Sequence, residues 1–310
     1  MDLKQKNIVI IGKGMIGMGF AALLTGNGIP ATVFAKDSHI ALARYDAIFA
    51  YLEENQLVTP AQKEKCRSLL RFTNAYEDIS DAEIVIECIV EKLDVKQDVY
   101  AKLETHCPYL SVIASASSAI SPDDLCAAMQ KKDILLVAHP YNPAYLVPCV
   151  ELVPSEYTSP EAMDLTYQML DLLGREVIVM KKAAPGFIAN RLQHALIREA
   201  LHMIEFGLAE PTDIDRALMT SFIPRYTTVG LLENIDNAGL DLEANVEDYL
   251  FPELGNESKA SSYLRDRIAH GETGAKAGKG IYCNWTHEKI QDLHRRAAKP
   301  YLSFFNWNLP

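Results

Sequence analysis

No stretch of this chain stays apolar long enough to cross a bilayer, which takes about 20 residues, and no internal repeat or low-complexity segment runs along it. Neither a membrane span nor a repeat array is therefore expected. Positive charge is scarce: 30 lysines and arginines face 41 aspartates and glutamates, for a formal net charge of -11. That balance argues against nucleic acid or an anionic membrane surface as the main partner, while a local basic pocket for an anionic small molecule stays compatible with it. Paired cysteine spacing is missing as well. Cys66, Cys88, Cys107, Cys126, Cys149 and Cys283 show no CxxC pattern and mostly lie in apolar surroundings. This suits reduced, buried thiols in a cytoplasmic protein better than a disulfide framework or a zinc site, so no metal is expected. The leading MDLKQKN meets an apolar run that reaches glycines within a few residues, with no small-residue cleavage site behind it. No targeting segment is expected.

What is present is an ordinary globular composition, 49% hydrophobic and 23% charged over 310 residues, long enough for a well-buried core and two domains. Residues 7–11, NIVII, form a short β-branched run of the kind buried on both faces of a parallel sheet. Gly12, Lys13, Gly14, Met15, Ile16 and Gly17 follow at once, and then MGFAALLTGNG at helical spacing. Strand, GxGxxG and helix together let bare backbone approach a pyrophosphate at a helix amino terminus, so Gly12, Gly14, Met15, Ile16 and Gly17 are read as dinucleotide-binding residues. The second strand is expected over residues 31–34. Its end normally carries an acid for the adenine ribose of NAD, and here Ala35 stands there, followed by Lys36, Asp37 and Ser38. Losing the acid removes repulsion toward a 2′-phosphate, and Lys36 with Ser38 can bind one. The cofactor is therefore read as NAD(P)H, leaning toward NADP(H); Asp37 reaches the ribose instead if the strand ends later.

A helical excursion over residues 40–56 and from Pro60 to about residue 70 precedes the next strands, at 84–86, 111–114, 134–137, 150–153 and 177–180, with a helix over 92–103. The strand at 111–114 ends in Ser115, Ala116, Ser117 and Ser118, and the strand at 134–137 delivers His139. Both ends fall in the crevice where open α/β sheets bind ligands. Within AHPYNPAYLVPCVE the apolar run after His139 returns Glu151, and an imidazole held by a carboxylate is a general base of fixed tautomer. After Pro185 the chain turns mainly helical, so an α/β, Rossmann-type dinucleotide-binding domain (1–185) is expected to precede an all-helical domain (186–310). The aromatic ending, Tyr301 to Trp307, is expected to pack on its own domain or on a neighbouring subunit.

The pieces GKGMIG, VIECIVEKLDVKQDVY, SASS, HPYNPAYLVPCVE, PGFIANR and GAKAGKGIY agree in order and spacing with one another. Over nearly its full length the chain resembles the 3-hydroxyacyl-CoA dehydrogenase family, nearest a branch that includes L-gulonate 3-dehydrogenase, lambda-crystallin and L-carnitine dehydrogenase. The resemblance implies that His139 is the general base and Glu151 the carboxylate that orients it. It implies that Ser118 and Asn190 position the substrate oxygen and the histidine, that Glu91 and Lys96 lie near the nicotinamide, and that Asn142 gives support. It also implies a homodimer formed through the helical domain. Arg225, in PRYT, is a candidate for a bidentate bond to a substrate carboxylate, against a surface salt bridge as the alternative. The implied reaction is hydride transfer at the 3-position of a hydroxy acid. An acyl-CoA thioester substrate is the first alternative, and a non-catalytic nucleotide-binding or structural protein the second. Two departures stand out: Ala35 in place of the acid, and Val229 to Leu232 where the family commonly has glycine-proline.

Overall fold

The computed structural model describes residues 3–310, so the first two residues of the MDLKQKN lead lie outside it. One eight-stranded sheet organises the first of two compact units, which comprises the described residues up to 188 with 296–310. Its strands are β1 (Ile8–Ile11), β2 (Ala31–Phe34), β3 (Leu70–Thr73), β4 (Ile84–Glu87), β5 (Val112–Ser115), β6 (Leu135–Pro140), β7 (Cys149–Pro154) and β8 (Glu176–Val179). They lie in the order β3-β2-β1-β4-β5-β6-β7-β8. The first six in chain order run parallel, whereas β7 is antiparallel to β6 and parallel to β8. The chain order therefore reverses at the seam between β1 and β4, which is where such sheets open a crevice for a dinucleotide.

Side chains alternate across a strand, and here both faces are covered. Ile8, Ile10, Val33, Ile84, Ile86 and Ala114 point into one core, with α1 (Met15–Gly26), α2 (Ser38–Glu54) and α6 (Pro160–Leu172). Val9, Ile11, Val85, Ile113 and Val137 point into the other, with α4 (Leu93–His106) and α5 (Pro122–Cys126). Between α2 and β3 lies α3 (Pro60–Ser68), opened by a Thr59–Gln62 capping box with proline at its first turn. The strand β3 corrects the helical reading to residue 70. The four residues LRFT do alternate apolar and polar, with Leu70 buried and Phe72 packed against the core, but so short a run directly after a helix is a weak signal, and pairing with β2 decides its conformation.

The second unit, residues 189–295, holds α7 (Ala189–Glu205), α8 (Pro211–Thr220), α9 (Leu231–Ala238), α10 (Leu240–Leu250), α11 (Ser262–Ala269) and most of α12 (His287–Ala298). The chain then returns to the first unit. Trp307 is 7% exposed, with its ring 6.1 Å from Phe49, and a Cβ at Gly26 would overlap it. Asn308 N–H donates to Asn27 Oδ1 at 2.9 Å, and buried Arg175 donates to Asn306 Oδ1 at 3.3 Å. The aromatic ending thus packs against the nucleotide-fold unit rather than the helical one, because glycines at 26 and 174 leave room that side chains would fill.

Candidate active site

His139 lies in β6 directly opposite Glu151 in β7, and the antiparallel register makes them a cross-strand pair. Their distance in sequence is closed by the loop after Pro140. His139 Nδ1 lies 2.9 Å from Glu151 Oε2, with both residues buried. An ionised carboxylate only accepts, so Nδ1 carries the proton and Nε2 is the ring's basic atom. Tyr141 Oη donates to the same Oε2 at 2.9 Å and Ile188 N–H donates to Oε1 at 2.9 Å. Both oxygens are thus fixed, and the carboxylate cannot rotate away from the ring.

The Ile188 bond requires a sharp backbone path. Gly186 has φ 79° and Phe187 φ 49°. A left-handed conformation is free to glycine but strained for a bulky side chain. Phe187 is 3% exposed, with its ring 5.3 Å from that of His139, and Tyr141 meets the imidazole edge-on at 4.9 Å. The strain thus accompanies a contact that clamps the imidazole. Tyr141, Phe187 and the Ile188 N–H were not singled out from sequence. Tyr141 was within reach, since it lies two residues after His139, just past the end of β6, where the side-chain alternation of the strand carries over.

The glycine loop fits a dinucleotide. Gly12 has φ 126°, and a Cβ there would run into the carbonyl of Cys88 at the end of β4. A Cβ at Gly17 would stand 2.7 Å from the Gly12 carbonyl, so α1 packs close to its own loop. At Gly14, by contrast, a Cβ would meet only the Cys88 oxygen at 4.0 Å, which leaves open space beside the amino terminus of α1. The backbone N–H groups of Met15 and Ile16 begin that helix, where an anion is favoured.

Behind the crevice sits a polar cluster that sequence reading only half anticipated. Lys96 is 1% exposed and donates to both oxygens of fully buried Glu87, at 2.7 and 2.9 Å. Tyr100 Oη and Ser115 Oγ complete that carboxylate at 2.6 and 2.7 Å. Lys96 also lies 3.5 Å from Glu91 Oε2. Glu91 Oε1 accepts from Ser117 Oγ and from the backbone N–H groups of Ser118 at 3.0 Å and Ala119 at 2.9 Å. Burial opposes ionisation of Glu91, but Ser117, the Ala119 N–H and Lys96 together hold its carboxyl below the usual range. Glu91 therefore anchors the loop that carries Ser118. The signal for Glu87 was a lone acid closing the apolar strand IVIE.

Ser118 itself is exposed, three residues past Ser115, and Ser115 pairs with Val137 two residues before His139. The structure thus brings Ser118 and His139 to the same end of neighbouring strands. Asn142 is exposed in the β6–β7 loop and Lys36 is exposed after β2. In the second unit Asn190 is half-buried in the first turn of α7, and Arg225 is exposed at the start of a single 3₁₀ turn, Arg225–Thr227. Among the described residues no cluster of histidine, cysteine, aspartate or glutamate suits a metal ion.

Comparison with known proteins agrees with this geometry. Residues 7–183 match the family described as 3-hydroxyacyl-CoA dehydrogenase, NAD binding domain, and residues 186–284 match its C-terminal domain. L-carnitine dehydrogenase of Streptomyces coelicolor is 33% identical over 293 residues, 89% of each chain. Lambda-crystallin of Oryctolagus cuniculus is 30% identical over 234 residues, 74% of this chain and 73% of that one. Among solved structures, 5-formyl-3-hydroxy-2-methylpyridine 4-carboxylic acid 5-dehydrogenase, an NAD+-dependent dismutase, superposes with a TM-score of 0.86 at 27% identity, covering 96% of each chain.

Proposed function

The chain belongs to the 3-hydroxyacyl-CoA dehydrogenase family, and from that premise we propose that it is a reversible dehydrogenase of a free 3-hydroxy acid. The observation that carries the reading is the His139–Glu151 pair, 2.9 Å apart and buried, on a sheet whose glycine loop accepts a dinucleotide. His139 Nε2 takes the hydroxyl proton while the carbon-bound hydrogen leaves as hydride. A bound nicotinamide supplies the acceptor for that hydride. Glu151 steadies the imidazolium that forms, and Tyr141 and the Ile188 N–H keep Glu151 in place. In the reducing direction the imidazolium returns the proton to the carbonyl oxygen.

The finer assignments belong to the same reading. Ser118 and Asn190 position the substrate oxygen, Asn142 supports it, and Arg225 binds the substrate carboxylate. Glu91 and Lys96 shape the nicotinamide end from behind. A free acid is supported by the relatives' own substrates, since L-carnitine and a pyridine carboxylate are carboxylates rather than thioesters. The absence of an acid at Ala35 supports NADP(H) over NAD(H). A cytoplasmic setting is supported by six free cysteines, with Cys66 and Cys107 pushed up to about 11 by burial. A homodimer through the second unit is supported by its exposed apolar helices.

The test is absorbance at the nicotinamide band, with NADH and NADPH each offered against matched free 3-keto acids and 3-ketoacyl-CoA thioesters. Turnover of the free acid is expected. Turnover of the thioester alone overturns the substrate reading and leaves the His139–Glu151 chemistry in place.

A further inference from the structure

We propose that the end of β2 carries a binding subsite for the 2′-phosphate of NADP(H), built from Arg44, Lys13 and Lys36. The proposal rests on the NADP reading above and deepens it by naming the groups that make the choice. In a dinucleotide fold the residue after the second strand faces the adenine ribose. Here Phe34 O accepts the Gly12 N–H at 3.2 Å, so the end of β2 lies against the glycine loop, and Ala35 follows with no acid to hold a hydroxyl or repel a phosphate.

The nearest carboxylate, Asp37, is engaged elsewhere. Its Oδ1 accepts the Ile40 N–H at 3.2 Å as the cap of α2, and its Oδ2 lies 3.6 Å from Lys13 Nζ. The Ile40 N–H, and after it Lys13, hold its carboxyl below the usual range against slight desolvation. Asp37 thus serves the helix and a neighbouring cation.

Contacts bring two cations to this corner, Lys13 through that ion pair and Arg44 through the glycine loop, and Lys36 precedes Asp37 in the chain. Arg44, two turns along α2, reaches back so that Nη1 donates to the Lys13 carbonyl at 2.6 Å. That bond fixes the guanidinium beside the glycine loop and uses one N–H of a planar fork whose remaining donors suit phosphate. Arg44 and Lys36 are exposed, and neither has a carboxylate partner among the described residues. On a chain of net charge -11, Lys13, Arg44 and the adjacent Lys36 set against one capped aspartate leave positive charge at the strand end that a dinucleotide fold turns toward the adenine ribose. A latch that merely steadies the loop would need only the Arg44–Lys13 bond, not the loss of the acid and the free Lys36.

The experiment is titration of the whole protein with NADPH and with NADH, followed by nicotinamide fluorescence, for the natural sequence and for R44Q, K36Q and A35D. NADPH is expected to bind more tightly than NADH. R44Q is expected to weaken NADPH about ten-fold, as loss of a charge-assisted phosphate contact does, while NADH changes by less than about two-fold. K36Q is expected to shift the same ratio less, and A35D to reverse the preference. Equal weakening of both cofactors by R44Q, with the ratio unmoved in K36Q and A35D, overturns the subsite while NADPH preference stands. Tighter binding of NADH by the natural sequence overturns the NADP reading itself, and the subsite with it.

Discussion

The two units of this chain treat apolar surface in opposite ways. In the sheet unit, strands β1, β4 and β5 are buried along their whole length and two cores close on both faces. In the helical unit only Leu201 and Ile214 among the described hydrophobic side chains are buried, while Leu232 at 73% and Tyr249 at 85% stand exposed. Helices α9, α10 and α11 contribute no buried residue at all. The sheet unit accordingly has a core sufficient to hold charged groups in fixed positions. The helical unit presents exposed apolar stripes at helical spacing, such as Leu242, Val246 and Tyr249 on α10. One unit holds the buried His139–Glu151 pair in place, and the other leaves its apolar stripes uncovered.

The largest effect separates those two roles. Replacing His139 by Gln is expected to lower turnover by roughly two to four powers of ten, with cofactor affinity and oligomeric state unchanged. Steady-state kinetics beside a cofactor titration and sedimentation would check it. Collapse of cofactor binding would mean that His139 serves the fold rather than the proton.

Next in size is the buried cluster on which the sheet unit's precision depends. Glu87→Leu strands the Lys96 ammonium with only the more distant Glu91, and a broken buried pair costs about 3–5 kcal/mol. The unfolding midpoint in urea should fall accordingly, and the double change Glu87→Leu with Lys96→Met should restore much of it. If the double variant were as unstable as the single one, desolvated charge would not be the cause.

The helical unit should respond differently. Leu242→Asp with Val246→Asp puts charge on the exposed stripe, costs the isolated chain little, and is expected to raise a dimer dissociation constant by about 100-fold or more. Sedimentation velocity across a dilution series would see dimer give way to monomer. A monomeric parent protein, or an unchanged dimer, would remove this stripe as the interface.

The contrast also explains what could be read in the chain before its fold. Buried parallel strands announce themselves as short apolar runs, so NIVII, ATVF and IVIE were legible, and with GxGxxG they led to the nucleotide fold. His139 and Glu151 were legible as a pair because a single strand return separates them. What stayed hidden was decided by tertiary pairing. β3 exists because β2 offers an edge, and Glu87 matters because Lys96, Tyr100 and Ser115 meet it from other elements. Phe187 gave no local sign that its backbone would turn left-handed to reach His139. The destination of the ending was equally silent, since nothing local to Gly26 or Gly174 shows that Trp307 and Asn306 fill the space above them.

Arg225 carries the smallest expected effect and tests whether the helical unit takes any part in recognition. It is exposed and begins a 3₁₀ turn, so its removal should leave stability within about 0.5 kcal/mol, as for other surface positions. If it binds the substrate carboxylate, Arg225→Ala should raise KM for a free 3-keto acid about ten-fold, the worth of one charge-assisted contact, with kcat little changed. Arg225→Lys should recover only part of the loss, because a point charge cannot reproduce the two parallel bonds of a guanidinium. The thioester supplies the internal control: it has no carboxylate at that end, so its KM should not move. A rise shared by both substrates would instead mean that Arg225 supports the helical unit, which would then belong wholly to assembly.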